Sequence, residues 1–199
     1  MTNITIVYYS STGHTHALAN AVAEGARAEQ ATVRIRKVPE TAPDAAIDSR
    51  KEWRDHLTET QDIPEATLED LDWANGMIFG TPTRFGLPAA QIKQFIDQTG
   101  PLWSQGKLQD KPVSVFGGAG NAHGGQESTL LALCNTFYHW GSVIVPNGYT
   151  DSAFGAAGGN PYGLSFTAAG VSKLPDTILN AARSQGQRMA RFARLLSAD

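Results

Sequence analysis

Two hydrophobic periods alternate along this chain. Ile4–Tyr9 is almost continuously apolar, the pattern of a strand covered on both faces. Leu18, Ala21, Val22, Gly25 and Ala26 then recur at i, i+3, i+4, i+7 and i+8, one face of a helix starting near His16. Thr32–Val38 alternates, with Val33 and Ile35 on one face and basic residues between them. Residues 39–66 are polar and rich in Pro, Asp and Glu, and read as a surface excursion with room for a few helical turns. Thr67 is an N-cap candidate with Asp70 at the capping-box position, and Leu68 and Leu71 form the apolar face of the short helix it starts. Met77–Phe79 is a short strand and Gly80–Gly86 the loop after it; Ile92, Phe95 and Ile96 then mark an inward helix face. Val113–Phe116 reads as the fourth strand, Gly117–Gly125 as a glycine-rich loop, Gln126–Tyr138 as helix and Ser142–Val145 as the fifth strand. Residues 146–174 have many glycines and little periodicity, and a last helix runs from about Pro175 through Ile178, Ala182, Met189 and Phe192.

Strands alternating with helices mean βαβ units. The expected fold is α/β, a doubly wound five-stranded parallel sheet with helices on both faces, in a single domain over 1–199. Ligands of such sheets sit outside the carboxyl ends of the strands, where the loops 10–15, 81–86 and 117–125 fall.

Composition removes several classes. A net charge of −3 gives no electrostatic case for nucleic-acid binding. No apolar run reaches membrane-spanning length, and Met-Thr-Asn leads straight into a strand, so neither a membrane span nor a signal peptide is expected. The one cysteine, Cys134, cannot form an internal disulfide, which fits a reducing compartment and a cytoplasmic location. Cys134 falls in an apolar helix and reads as a small core residue. His14 and His16 are two apart and do not share a helix face, so no metal pair is expected. Arg183, Arg188, Arg191 and Arg194 read as a solvated helix face.

The loop after the first strand carries the chemistry. Ser10-Ser11-Thr12-Gly13-His14-Thr15 stands between a strand and a helix start, where N–H groups lack partners and the helix dipole is positive. It has no Lys, so it is not a nucleoside triphosphate loop, and only one glycine, so it lacks the dinucleotide fingerprint. Three hydroxyls, at Ser10, Thr12 and Thr15, suit one monoester phosphate held without a cationic side chain. The competing reading, an ordinary Ser/Thr helix cap, explains one hydroxyl and not the combined pattern.

This pattern resembles the flavodoxin phosphate loop. With Val38-Pro39-Glu40-Thr41, Phe79-Gly80-Thr81-Pro82-Thr83-Arg84-Phe85-Gly86, Asp97-Gln98-Thr99-Gly100, Gly124-Gly125-Gln126-Glu127 and Gly159-Asn160-Pro161-Tyr162-Gly163, the chain resembles the WrbA-type flavoproteins over nearly its whole length. The resemblance implies a flavodoxin-like fold, FMN as cofactor, NAD(P)H and quinones as substrates, and a homotetramer built as a dimer of dimers. It implies phosphate contacts at Ser10, Ser11, Thr12, Gly13, His14 and Thr15. It implies flavin contacts at Thr83, Arg84, Phe85 and Gly86, and at Gly118, Ala119, Gly120, Asn121 and Ala122. His139 would sit by the flavin ring and donate a proton or hydrogen bond, and Trp103 would line the substrate space, in part from a neighbouring subunit. The second glycine-rich loop is one residue longer than in the family and carries Asn121 and His123 where Ser and Thr are usual, so backbone contacts transfer better than side chains. Thr12 stands where better-known members have a tyrosine near the nicotinamide, and Trp140 where a second histidine is common; Trp140 either narrows the pocket or fills core.

The function implied is an FMN-dependent NAD(P)H:quinone oxidoreductase working by a ping-pong mechanism. The alternatives are a one-electron carrier, against which the modest net charge argues, and a non-enzymatic FMN-binding adaptor, for which no partner surface is legible.

Overall fold

The computed structural model describes residues 1–197. Strands β1 (Asn3–Tyr8), β2 (Thr32–Lys37), β3 (Gly76–Arg84), β5 (Pro112–Ala119) and β6 (Val143–Ile144) form a parallel sheet in the order β2-β1-β3-β5-β6. Two further strands attach to it: β4 (Leu87–Pro88) pairs antiparallel with β3, and β7 (Leu164–Thr167) pairs parallel with β5. This is the expected flavodoxin-like doubly wound sheet, with two additions.

The side-chain alternation of β1 sorts the core into two layers. Ile4, Ile6 and Tyr8 face a cluster built from α1 (His14–Ala28) and α9 (Asp176–Leu196), while Val7 joins the opposite cluster. That second layer is formed by α5 (Ala90–Asp97) and α7 (Gln126–Trp140) on Met77, Phe79, Val113 and Val115. Cys134 is buried there, and burial pushes its thiol up to about 11, as suits a core residue. Trp140 fills core too, against Phe79 and Phe137.

Helices α1 and α9 approach at two glycines. A Cβ on Gly25 would lie 1.9 Å from the Arg183 carbonyl oxygen, and one on Gly186 would lie 1.9 Å from that of Val22. The short α4 (Leu68–Trp73) begins with the expected capping box: Thr67 Oγ1 accepts from the Asp70 N–H, and the Asp70 carboxylate accepts from the Thr67 N–H. The same buried carboxylate receives Arg34 and Arg36 of β2, each at 3.0 Å, so the cap also fastens α4 to the sheet edge.

Two expectations need correction. Gly80–Arg84 and Gly117–Ala119 are not loops but strand, because Gly80, Thr81 and Pro82 pair with Phe116, Gly117 and Gly118, Thr83 and Arg84 with β4, and Ala119 with Thr167 of β7. The fifth strand ends sooner than Ser142–Val145 suggests: β6 is two residues long, the chain leaves the sheet through 145–163, and β7 returns to complete the same edge. The 39–66 excursion does contain the helical turns it had room for, α2 (Asp44–Asp48) and α3 (Lys51–Glu59). Two short helices, α6 (Gly100–Ser104) and α8 (Ser152–Ala156), complete the chain. Among the described residues no helix is long and apolar enough to cross a membrane.

Candidate functional site

Beyond the carboxyl ends of β1, β3 and β5 lies a cleft of about 700 Å³. Ser10, Ser11, Thr12, His14, Thr15, Thr83, Arg84, Gly118, Ala119 and Gly120 line it.

The first loop is shaped by Gly13, whose φ of 97° is the left-handed conformation open to glycine, and which caps α1. Its N–H donates to Ser10 Oγ at 3.1 Å, closing the loop on itself. No side chain caps the first turn of α1, so its leading N–H groups are available at the cleft. His14 donates from Nε2 to the Val171 carbonyl at 2.9 Å and packs its ring on Phe166, tying the loop to the opposite wall.

The second wall is strand backbone. Thr83 Oγ1 is buried without a hydrogen-bond partner among the described residues, and Arg84 donates to Ser11 Oγ at 3.2 Å. Gly118 lies where a Cβ would come 2.3 Å from the Phe166 ring, so only glycine lets β7 close over β5 there. Nothing approaches within 4 Å of a Cβ on Gly120, which leaves open space at that end of the cleft.

Behind the first loop lies a polar support. His16 donates from Nδ1 to Tyr8 and accepts at Nε2 from Asn20, the tautomer that satisfies both contacts. Burial holds His16 below the usual histidine range and raises Tyr8. His56 of α3 is buried beneath Gly13, with Nδ1 3.5 Å from the position of a Cβ there, and burial, with His16 and Lys37 nearby, lowers it to about 4. Burial would raise the Glu40 carboxyl, but hydrogen bonds from the Ala42 N–H, Tyr9, Gln91 and Trp53 outweigh it and hold the group below its usual range. Glu40 thereby joins α3 and α5 to Tyr9, the residue that follows β1.

Other expected site residues lie elsewhere. Phe85 and Gly86 form the tip of the β3–β4 hairpin; Phe85 is fully exposed and has φ 52°. Asn121 is exposed, its carbonyl accepting from Gly124 and Gln126, and Ala122 lines a separate cleft of about 400 Å³ with Tyr162 and Asn160. His139 is in the last turn of α7 and exposed, about 20 Å along the helix from the end near the cleft. Its carbonyl accepts from Trp103 Nε1 at 2.8 Å, so these two are neighbours at the opposite edge of the sheet.

The cleft also has walls that sequence reasoning missed: Arg50 and Glu52 from the excursion, Phe166 of β7, and Ala168–Ser172. The apolar–polar alternation of Leu164-Ser165-Phe166-Thr167 was the available signal for the second of these. Nothing local pointed to Arg50. Among the described residues there is no cluster of His, Cys, Asp or Glu able to hold a metal ion.

Known proteins resemble this chain along its length. A family model described as NADPH-dependent FMN reductase matches residues 2–156. An NAD(P)H dehydrogenase (quinone) from Deinococcus radiodurans is 49% identical over 167 residues, 84% of each chain. One of the same name from Azorhizobium caulinodans is 42% identical, covering 97% of this chain and 98% of its own. Among solved structures, a flavodoxin, WrbA-like protein from Agrobacterium tumefaciens superposes with a TM-score of 0.69 at 28% identity, covering 98% of this chain and 99% of its own. An archaeal flavodoxin at 16% identity and TM-score 0.63 shares the fold.

Proposed function

The chain belongs to the NADPH-dependent FMN reductase family, and from that premise we propose that it binds FMN in the cleft and reduces quinones by two electrons with NAD(P)H. The observation that carries this reading is the hydroxyl-lined first loop at the uncapped start of α1, opening into a cleft whose other wall is strand backbone.

The residues fit FMN. Ser10, Thr12 and Thr15, with the leading N–H groups of α1, suit its phosphate. Thr83 has a buried hydroxyl in need of a partner, and Gly120 leaves open space where a side chain would stand in the way of a flat ring. Bound FMN supplies reversible two-electron chemistry, taking reducing equivalents from a nicotinamide and passing them to a quinone. The chain contributes position and exclusion of water: Arg84, Phe166 and 168–172 form walls, and Glu40 and His56 hold α3 against the first loop.

Nicotinamide and quinone use this one cleft in turn, which is ping-pong order. Purified protein loaded with FMN then shows a bound-flavin visible spectrum and oxidises NADH with benzoquinone. Double-reciprocal plots at several fixed NADH levels run parallel; intersecting lines would defeat the shared cleft, and absence of flavin binding would defeat the reading as a whole.

The working unit is a homotetramer, a dimer of dimers. Phe85 and Leu87 on the hairpin and Leu131 and Tyr138 on α7 are exposed and apolar, and Ser128 of α7 meets the hairpin at Gly86, which suits this side of the molecule to a second copy. In that assembly His139 and Trp103 reach the cleft of a neighbouring copy. A single buried cysteine fits a cytoplasmic site of action.

A further inference from the structure

The phosphate end of the cleft is built from uncharged groups, yet a phosphate monoester brings roughly two negative charges at neutral pH. Two guanidinium groups line the same cleft, those of Arg84 and Arg50. Arg84 is engaged, donating to Ser11 Oγ at 3.2 Å and to the Thr83 carbonyl at 3.3 Å. Arg50 is different. Its neighbours in the excursion are paired, Lys51 with Asp55 and Arg54 with both Asp44 and Asp48. Arg50 has no side-chain hydrogen bond or ion pair among the described residues, and Glu52, which shares the cleft wall, lies beyond ion-pair reach of it.

An unpaired cation on a mobile stem would mean little. Here the backbone beneath it is held. The Arg50 carbonyl accepts from the Trp53 N–H at 2.9 Å, Trp53 Nε1 donates to Glu40 at 2.9 Å, and His56 is seated under Gly13. The first of these is the helix's own opening turn; the other two anchor the start of α3 beside the first loop and leave one side chain free to turn into the cleft.

We propose that Arg50 is a specificity-determining contact for a phosphate monoester in this cleft, either the 5′-phosphate of FMN or the 2′-phosphate of NADPH. The inference rests on the FMN-dependent reading above. A guanidinium gives such a group charge-assisted, bidentate hydrogen bonds that hydroxyls and N–H groups do not.

The test compares wild type, Arg50→Gln and Arg50→Lys in two sets of measurements. Apoprotein is titrated with FMN and with riboflavin, followed by quenching of flavin fluorescence at low and high salt. FMN-saturated enzyme is then assayed for KM with NADPH and with NADH. If the monoester is that of FMN, Arg50→Gln weakens FMN about tenfold, leaves riboflavin unchanged and flattens the salt dependence, while Arg50→Lys recovers part of the loss. If it is that of NADPH, the KM for NADPH rises about tenfold and that for NADH stays put. FMN affinity and NADPH KM both unchanged overturn the proposal. So does an equal loss for FMN and riboflavin, or for NADPH and NADH, which marks damage to α3. Wild type that binds neither flavin defeats the FMN reading itself, and this inference with it.

Discussion

His56 shows how one residue couples the excursion to the first loop. Its ring is buried under Gly13, 5.5 Å from the His16 ring, and its pKa falls from 6.5 to about 4. The folded state therefore holds it neutral where the unfolded chain would bind a proton. Between pH 6.5 and about 4 the unfolded state carries more protons, so stability falls as pH falls through that window and levels off for this group below it. The difference amounts to about 3 kcal/mol. Burial lowers His16 as well, and it adds in the same sense, whereas the depressed carboxyls of Glu40 and Asp70 come into play only from about pH 4.5 downward, at the acid end of the window. Urea unfolding followed from neutral pH down to the lower end of this window should show the decline in wild type and a clearly flatter profile in His56→Leu. An equal slope in both would show that His56 is not the group responsible. None of this was visible in the residue string, where His56 is one polar position in a polar segment.

At the scale of elements, what was legible and what was not divide along a physical line. The Thr67–Asp70 cap, the buried face of α1 and the start of α9 at Pro175 depend on residues within a few positions of one another, and all stand as read. The ends of β3 and β5 depend on a partner across the sheet. Thr81-Pro82 and Gly117-Gly118 have turn-like composition, and only their mutual pairing makes them strand. β7 was hidden because nineteen residues of excursion (145–163) separate it from β6 on one sheet edge. Packing of α1 on α9 is a further case where a partner decides. Gly25 and Gly186 look like weak points in helices, yet each faces a backbone carbonyl of the other helix at a distance that no Cβ survives. Gly186→Ala therefore separates the helices rather than strengthening one of them. It should destabilise the protein by about 3 kcal/mol, against the gain of roughly 1 kcal/mol that Gly→Ala brings to an exposed helix. The midpoint of urea unfolding reads the sign directly, and an unchanged or raised midpoint would show that the helices yield at little expense.

For the molecule as a whole, the sheet orders chemistry along its two edges. Ser10–Thr15, Thr83–Arg84 and Gly118–Gly120 meet at the carboxyl edge, whereas α7 carries His139 back to the amino edge, beside Trp103. The motif positions were legible; their division between two edges was not, because a linear sequence does not reveal how far a helix carries a residue from its neighbours. His139 stands at the far end of α7 from its own cleft, so in the tetramer proposed above its part in the reaction would be taken in another copy. In the tetramer proposed above, the exposed apolar residues Phe85, Leu87, Leu131 and Tyr138 would provide a surface for that copy. Complementation tests the arrangement. Thr15→Asp places a carboxylate in the phosphate loop and abolishes FMN binding, and His139→Ala removes the side chain at the far edge; each variant alone is expected to be nearly inactive. When the two are co-expressed and purified as mixed assemblies, a site with an intact loop from one chain and His139 from the next arises at random in about a quarter of cases, and activity returns in that proportion. Sites confined to single chains regain nothing on mixing, and sedimentation of a monomer with FMN present would remove the premise.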